Sequence, residues 1–392
     1  MKRSALRYSS YRVKGFNHRG HQEHRTERLS KAMVEYRYPG VYVEEVSFGS
    51  HTIEGVSTST TGFVGVSGRG PLLGPLSSFM EFEQAGMSNA GVNLTLALRG
   101  FFDNGGRQCF VSQIAPGDPL ESGLGAFDGH DVSVVCCPDD ATIATAAVMA
   151  RYCEARKDRI CILQAAHAVV PPATHRPPVQ SSYAAYYHPW LEVPSLDRTS
   201  KLMVPPCGHI AGLYAKTDTE RGVWKAPANE VLVGVTGLSQ ELNEADSETL
   251  NASGIDVIRR FAGQGIRVWG ARTTSPNSEW KYVNVRRLLI YVEQSIEQGL
   301  QWVVFEPNDA ALWMAVRTSI ENFLVGFWRA GGLQGAKPEE AFFVKCDRDT
   351  MTQDDLDNGR LICVIGVAPV KPAEFVIIRI GIWMQRGNCS AS

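Results

Sequence analysis

Two short runs constrain this chain more than anything else in it. Val132–Cys137 reads Val-Ser-Val-Val-Cys-Cys and Ile160–Leu163 reads Ile-Cys-Ile-Leu, both without polar alternation. A strand that is apolar on both faces must be covered on both, the situation of a parallel sheet flanked by helices. Between the runs, residues 142–157 place Ile143, Ala146, Ala147, Ala150 and Cys153 on one helical face. Asp139 or Asp140 is available to cap that helix. Strand, helix and strand in this order predict a right-handed crossover and an α/β fold.

The same rhythm extends in both directions. Gly62–Val66 reads as a buried strand, and helices are expected over 250–262, leading into Ile266–Trp269, and over 284–299, leading into Trp302–Phe305. Leu288, Leu289, Val292, Ile296 and Leu300 form the stripe of the latter helix. Asp309 caps a long helix over 310–330 with Leu312, Val316, Ile320, Phe323 and Phe327 on one side, and Gly331-Gly332 ends it. Pro171–Pro178 is a proline-rich surface loop, and Leu361–Val367 and Glu374–Gln385 are strand-like.

Composition excludes several classes of protein. With 44% apolar and 20% charged residues in 392, the chain is globular rather than fibrous or disulfide-built. No apolar stretch reaches the ~18 residues that suggest a membrane span, so direct membrane insertion is not expected. Residues 1–32 carry nine Lys/Arg against Glu23 and Glu27, a net +7 within a chain of net −2, which leaves −9 for residues 33–392. An acidic body argues against nucleic acid as the main partner. The leader itself, with His18, His21 and His24, reads as a disordered extension ahead of Met33. The nine cysteines are scattered without any CxxC pair, as packing thiols of a cytosol-made protein are.

The two ends pose a separate problem. Phe375–Trp383 is apolar on both alternating faces and would aggregate as a free edge. Val41, Tyr42, Val43 and Glu44 form a second short strand, tethered by the Ser/Thr/Gly-rich stretch 47–61. Either strand can pair within its own chain or with a neighbour's sheet; pattern alone favours neither. Pairing with neighbours would make heterologous contacts, and without closure these build an open helical polymer.

Eight blocks decide the matter. They are Tyr38-Pro39-Gly40-Val41-Tyr42-Val43-Glu44-Glu45; Thr61–Gly65 with Arg69-Gly70-Pro71; Phe101–Gly106; Arg221–Asn229; Trp269–Thr273; Trp280–Arg287; Phe305-Glu306-Pro307-Asn308; and Pro372-Ala373-Glu374-Phe375. In order and spacing they resemble contractile tail sheath proteins of phages, pyocins and extracellular injection systems, over nearly the whole chain. The resemblance implies a non-catalytic, subtilisin-like α/β domain, a C-terminal α/β sheath domain, and N- and C-terminal β arms inserted into adjacent subunits. It implies a helical homopolymer of six-fold rings around an inner tube protein, with baseplate and terminal cap proteins as further partners and no cofactor. The implied site of synthesis is the bacterial cytoplasm, with assembly into a phage tail or tail-like particle. The expected segments are a basic leader (1–32), an arm and linker (33–52), a β-rich segment (53–115), the subtilisin-like domain (116–268), the sheath domain (269–367) and a second arm (368–392). Arm strands would be Val41, Tyr42, Val43, Glu44 and Phe375, Val376, Ile377, Ile378; Arg317, Glu321 and Arg329 are the candidates to face the tube.

Rival readings are weaker. No GxSxG elbow accompanies Ser195, Ser200 or His209, and Cys207 stands too close to His209 in sequence for a dyad that meets through the fold. Gly68, Gly70 and Gly74 have the wrong spacing for a phosphate loop, and Pro75 follows. A non-contractile filament or tail protein remains the structural alternative, and a hydrolase on a subtilisin-like fold the enzymatic one. Trp224, Trp269, Trp280, Arg286 and Arg287 are expected in core packing and in ion pairs between subunits.

Overall fold

The computed structural model describes residues 51–85 and 91–374. The first part of the chain runs β1 (Thr61–Val66), β2 (Leu73–Leu76), α1 (Phe79–Gln84), α2 (Val92–Asp103), β3 (Cys109–Ile114), α3 (Leu120–Gly125), β4 (Val134–Cys136), α4 (Ile143–Arg156) and β5 (Ile160–Gln164). Then follow β6 (Ala184–His188), β7 (Leu191–Pro194), β8 (Lys201–Val204), α5 (Cys207–Arg221), β9 (Gly237–Leu238), α6 (Glu244–Ala252), β10 (Asp256–Phe261) and β11 (Gly265–Val268). The last part holds α7 (Val283–Gly299), α8 (Ala310–Arg329), the single turn α9 (Pro338–Ala341), β12 (Phe342–Lys345), α10 (Gln353–Asp357) and β13 (Val364–Val367).

Eight strands form one sheet in the order β11-β10-β6-β5-β4-β1-β3-β2. Its interior pairings are parallel; only the edge pairs β2·β3 and β10·β11 are antiparallel. Side chains alternate between two cores. Phe63, Cys136 and Ile162 face α2 and α5, whereas Val64, Val135 and Cys161 face α3, α4 and α6. The continuous apolar runs thus have the two covers they require. α2 and α5 pack backbone to backbone, because a Cβ at Gly208 or Gly212 would collide with the carbonyls of Ala97 and Phe101. A third apolar cluster joins α7, α8, β12 and β13 to Ile53 and Val223.

Several expectations are corrected. The helix over 250–262 is α6 at Glu244–Ala252 followed by a β10–β11 hairpin. Gly254, at φ 80, closes the helix, and Gly263 and Gly265, both at positive φ, make the turn. Trp302–Phe305 is not a strand: Val303 N donates to Leu300 O at 2.9 Å in a short 3₁₀ turn, and Phe305 follows at φ 72, fully exposed. No strand among the described residues lies beside this segment to pair with it. Thr142, rather than an aspartate, caps α4; Asp140 accepts from Thr142 N (2.8 Å), and Asp139 instead accepts from Val66 N (2.8 Å). The strand over 361–367 begins only at Val364. Asp309 caps α8 as expected, accepting from Leu312 N at 2.9 Å.

Candidate assembly site

Val41, Tyr42, Val43, Glu44 and Phe375, Val376, Ile377, Ile378, expected to form arm strands, lie outside the described residues. The nearest described segments, residues 51–60 and 368–374, both pack on or beside α7.

On the N-terminal side, residues 51–60 run along α7. His51 stacks on Trp302 with ring centroids 4.0 Å apart, Ile53 is buried against Gly299, and Val56 N donates to Ser295 Oγ (3.1 Å). Thr58 then meets an ion pair formed by two helices. Its hydroxyl donates to Asp218 of α5, and its carbonyl accepts from Arg287 of α7 at 2.9 Å. Arg287 also donates to Asp218 through both terminal nitrogens, at 3.0 Å on one side. These two side chains are 3% and 6% exposed, and the guanidinium lies over the Tyr214 ring. Burial at this level is tolerable only because the pair and its hydrogen bonds satisfy each other.

On the C-terminal side, the chain leaves β13 through a bridge between Leu333 and Pro369, and Val370 O accepts from Asn284 Nδ2 (3.1 Å). Glu374 then enters a basic clamp. Arg272 donates to it through Nε and Nη2, both at 2.7 Å, with Lys281 Nζ at 2.9 Å and Tyr282 OH at 3.1 Å. Burial would raise its carboxyl, but the Arg272 and Lys281 hydrogen bonds prevail and hold it at about 2, below its ordinary 4.5.

A buried polar path joins the two roots. Tyr214 shares a 2.8 Å hydrogen bond with Tyr187, and Tyr187 sits opposite Asp256 in the β6–β10 register. Asp256 accepts from the backbone N of Arg272 at 2.7 Å. It is fully buried, and burial pushes its carboxyl well up. Side-chain contacts and, between Tyr187 and Asp256, strand pairing lead from the Asp218–Arg287 pair at one root to Arg272 at the other.

Arg286 and Arg287 are corrected from inter-subunit to intrachain partners. Arg286 is sandwiched between the rings of Trp280 (3.6 Å) and Tyr183 (4.2 Å). Trp224 packs edge-on to Phe327 and Trp269 against Phe261. Asp218, Thr58, Tyr187 and Asp256 carried no warning in the sequence. The available signal was Arg286-Arg287 directly before the apolar Leu288, a helical position that must bury at least one guanidinium.

The other candidates are scattered. Arg317 and Glu321 pair along α8 at 3.8 Å, both half exposed. Arg329 is exposed three turns on, roughly 120° around the helix from Arg317. Ser195 donates to Asp197 Oδ1 inside its own turn, and His209 is sealed beneath Gly100 with burial pushing its imidazole down to about 4. No group of three His, Cys, Asp or Glu side chains among the described residues is placed to hold a metal.

Two family models match in tandem: the phage tail sheath protein central domain over residues 116–274 and the phage tail sheath C-terminal domain over 275–382. A chain of the anti-feeding prophage baseplate is 34% identical, covers 89% of this chain and 100% of its own, and superposes with a TM-score of 0.74. A chain of the contracted PVC sheath complex, from an extracellular contractile injection system, is 30% identical, with coverages of 89% and 98% and the same TM-score. The tail sheath protein of Vibrio phage KVP40 is 30% identical over 179 residues, 45% of this chain, and the match spans only 26% of that longer viral protein.

Proposed function

Because the chain belongs to the phage tail sheath family, we propose that it is the structural subunit of a contractile sheath, polymerising helically around an inner tube and shortening to drive that tube through a target envelope. The observation that carries this reading is the convergence of both terminal segments on α7. A subunit tethered to neighbours at both ends needs roots that resist pulling, and each root is held by charge-assisted hydrogen bonds, buried at Asp218–Arg287 and half-buried at Glu374.

On this reading the strands at 41–44 and 375–378 add to a neighbour's sheet. Among the described residues, β12 and β13 pair only with each other, while Phe343 and Val364 are 55% and 43% exposed. A two-stranded sheet is marginal alone and offers an edge on either side, so it is the acceptor we favour. The subtilisin-like description of the large α/β layer, and the absence of catalysis or cofactor from the role, belong to the same proposal. So do contacts to the inner tube, baseplate and terminal cap, and assembly in a phage tail or tail-like particle made in the bacterial cytoplasm. Arg317, Glu321 and Arg329 are proposed to face the tube; they do not form one stripe, so Arg317 and Glu321 act as a pair and Arg329 separately. Contraction then amounts to rigid subunits changing packing while the covalent arms keep neighbours joined.

Electron microscopy of the chain co-expressed with its tube protein tests the reading. Ribbed hollow cylinders are expected, and deleting 33–46 or 375–392 should abolish them. A monodisperse monomer in every preparation would overturn it.

A further inference from the structure

The β12–β13 ladder ends at the pair Lys345 and Val364, so the next opposed residues are Cys346 and Cys363. Ala368 N donates to Ala341 O at 2.8 Å, which marks 341 and 368 as a hydrogen-bonded pair. Alternation along an antiparallel ladder then puts Cys346 and Cys363 at a non-hydrogen-bonded position, where facing Cα atoms approach to ~4.5 Å. That lies inside the ~4.4–6.8 Å over which a disulfide closes without moving the backbone.

The surroundings differentiate the two thiols. Cys346 is 3% exposed whereas Cys363 is partly open to solvent. The remaining described cysteines are all buried, and two further thiol pairs in the cores contrast sharply. Cys136 lies against Cys207 and Cys153 against Cys161, and burial first of all pushes Cys136 and Cys153 far up. Inert packing thiols look like that second kind.

We propose that Cys346 and Cys363 are a reactive dithiol, a modification site that low-molecular-weight disulfides close into a cross-strand disulfide pinning β12 to β13. In the first step the Cys363 sulfur bonds to one sulfur of the small disulfide. The small S–S bond breaks, and the other half leaves as a thiol carrying the Cys363 proton. In the second step the Cys346 sulfur attacks Cys363, expelling the second small thiol with the Cys346 proton. Two protein thiols are oxidised and one small disulfide is reduced. The chemistry rests on the register of the sheet alone and stands whatever that sheet binds.

The test treats the purified full-length chain with oxidised glutathione, quenches with N-ethylmaleimide and maps peptides by mass spectrometry. The expected product is a peptide pair linked through Cys346 and Cys363, with maleimide labelling lost at these two positions and unchanged at Cys136, Cys153, Cys161 and Cys207. Cys346→Ser should stop at a glutathione adduct on Cys363, and Cys363→Ser should leave Cys346 unmodified. Full maleimide labelling of both cysteines after treatment would overturn the proposal. So would separate, uncrosslinked glutathione adducts on the two.

Discussion

The two roots hold their segments by different means. At the N-terminal root both charges, Asp218 and Arg287, belong to the body, and the departing segment contributes only the hydroxyl and carbonyl of Thr58. At the C-terminal root the departing segment carries its own charge, Glu374, into a body-supplied clamp of Arg272, Lys281 and Tyr282. The first arrangement would persist if the segment left; the second exists only while the segment stays. An ion pair that joins α5 to α7 is part of the fold, whereas one that joins the body to a terminal segment is a latch.

The sharpest way to break this distinction is at Asp218. Asp218→Ala leaves Arg287 buried without its counter-charge, a loss of ~3–5 kcal/mol, to be read as a fall in the urea midpoint of the whole body. Replacing both partners with apolar residues, Asp218→Leu with Arg287→Met, should recover much of that loss, since a buried pair is often replaceable by packing. A full loss in the double variant would mean that the pair is doing more than satisfying itself. Glu374→Gln should behave otherwise: it removes roughly 1–3 kcal/mol of charge-assisted hydrogen bonding locally. The thermal midpoint of the body should move little, while amide exchange over 368–374 rises. If Glu374→Gln lowered the urea midpoint as far as Asp218→Ala, the latch description would fail.

Acid provides the same contrast without mutation. Glu374 is held at about 2 from an ordinary 4.5, so the folded state binds its proton later than the unfolded state does. Its contribution is complete above about 4.5 and is lost as pH falls toward 2. Exchange at 368–374 should therefore rise in that window. Asp256 has the opposite sign. Burial raises it, so the folded state keeps a proton that the unfolded state has released, and stability declines as pH rises above the ordinary carboxylate range. Asp256→Asn keeps an acceptor for Arg272 N and removes the ionisation, so it should flatten that decline and be neutral or slightly stabilising at pH 8. A large destabilisation there would show that the carboxylate is ionised in place and needed.

Legibility followed periodicity. The parallel strands, α4 and the Asp309-capped α8 could be read because each repeats one physical requirement over many residues. The β10–β11 hairpin is hard to read because Ile255, Val257 and Ile258 satisfy a helical stripe as well as a strand, and only the glycines at 254, 263 and 265 arbitrate. Trp302–Phe305 is β-branched and aromatic yet has no strand among the described residues to pair with, and pairing is a tertiary fact. Beyond the Arg286-Arg287 pair, the roots are not legible. Asp218 meets Arg287 across 69 residues and Thr58 meets Arg287 across 229, and nothing local in a lone aspartate or threonine announces such a partner.

Thr58 is the smallest and most discriminating probe of the comparison. Thr58→Val keeps the shape and the carbonyl that accepts from Arg287, and deletes only the hydroxyl that donates to Asp218. If the N-terminal root is a finished piece of the body on which the segment merely rests, the loss is one ordinary hydrogen bond, about 1 kcal/mol. Asp218 still has both guanidinium nitrogens of Arg287, so no buried charge is orphaned. The urea midpoint should then shift by a fraction of the Asp218→Ala effect, while protease cleavage around 51–57 accelerates. A shift approaching that of Asp218→Ala would mean that the hydroxyl completes the pair, and that the N-terminal segment is as much a latch as the C-terminal one.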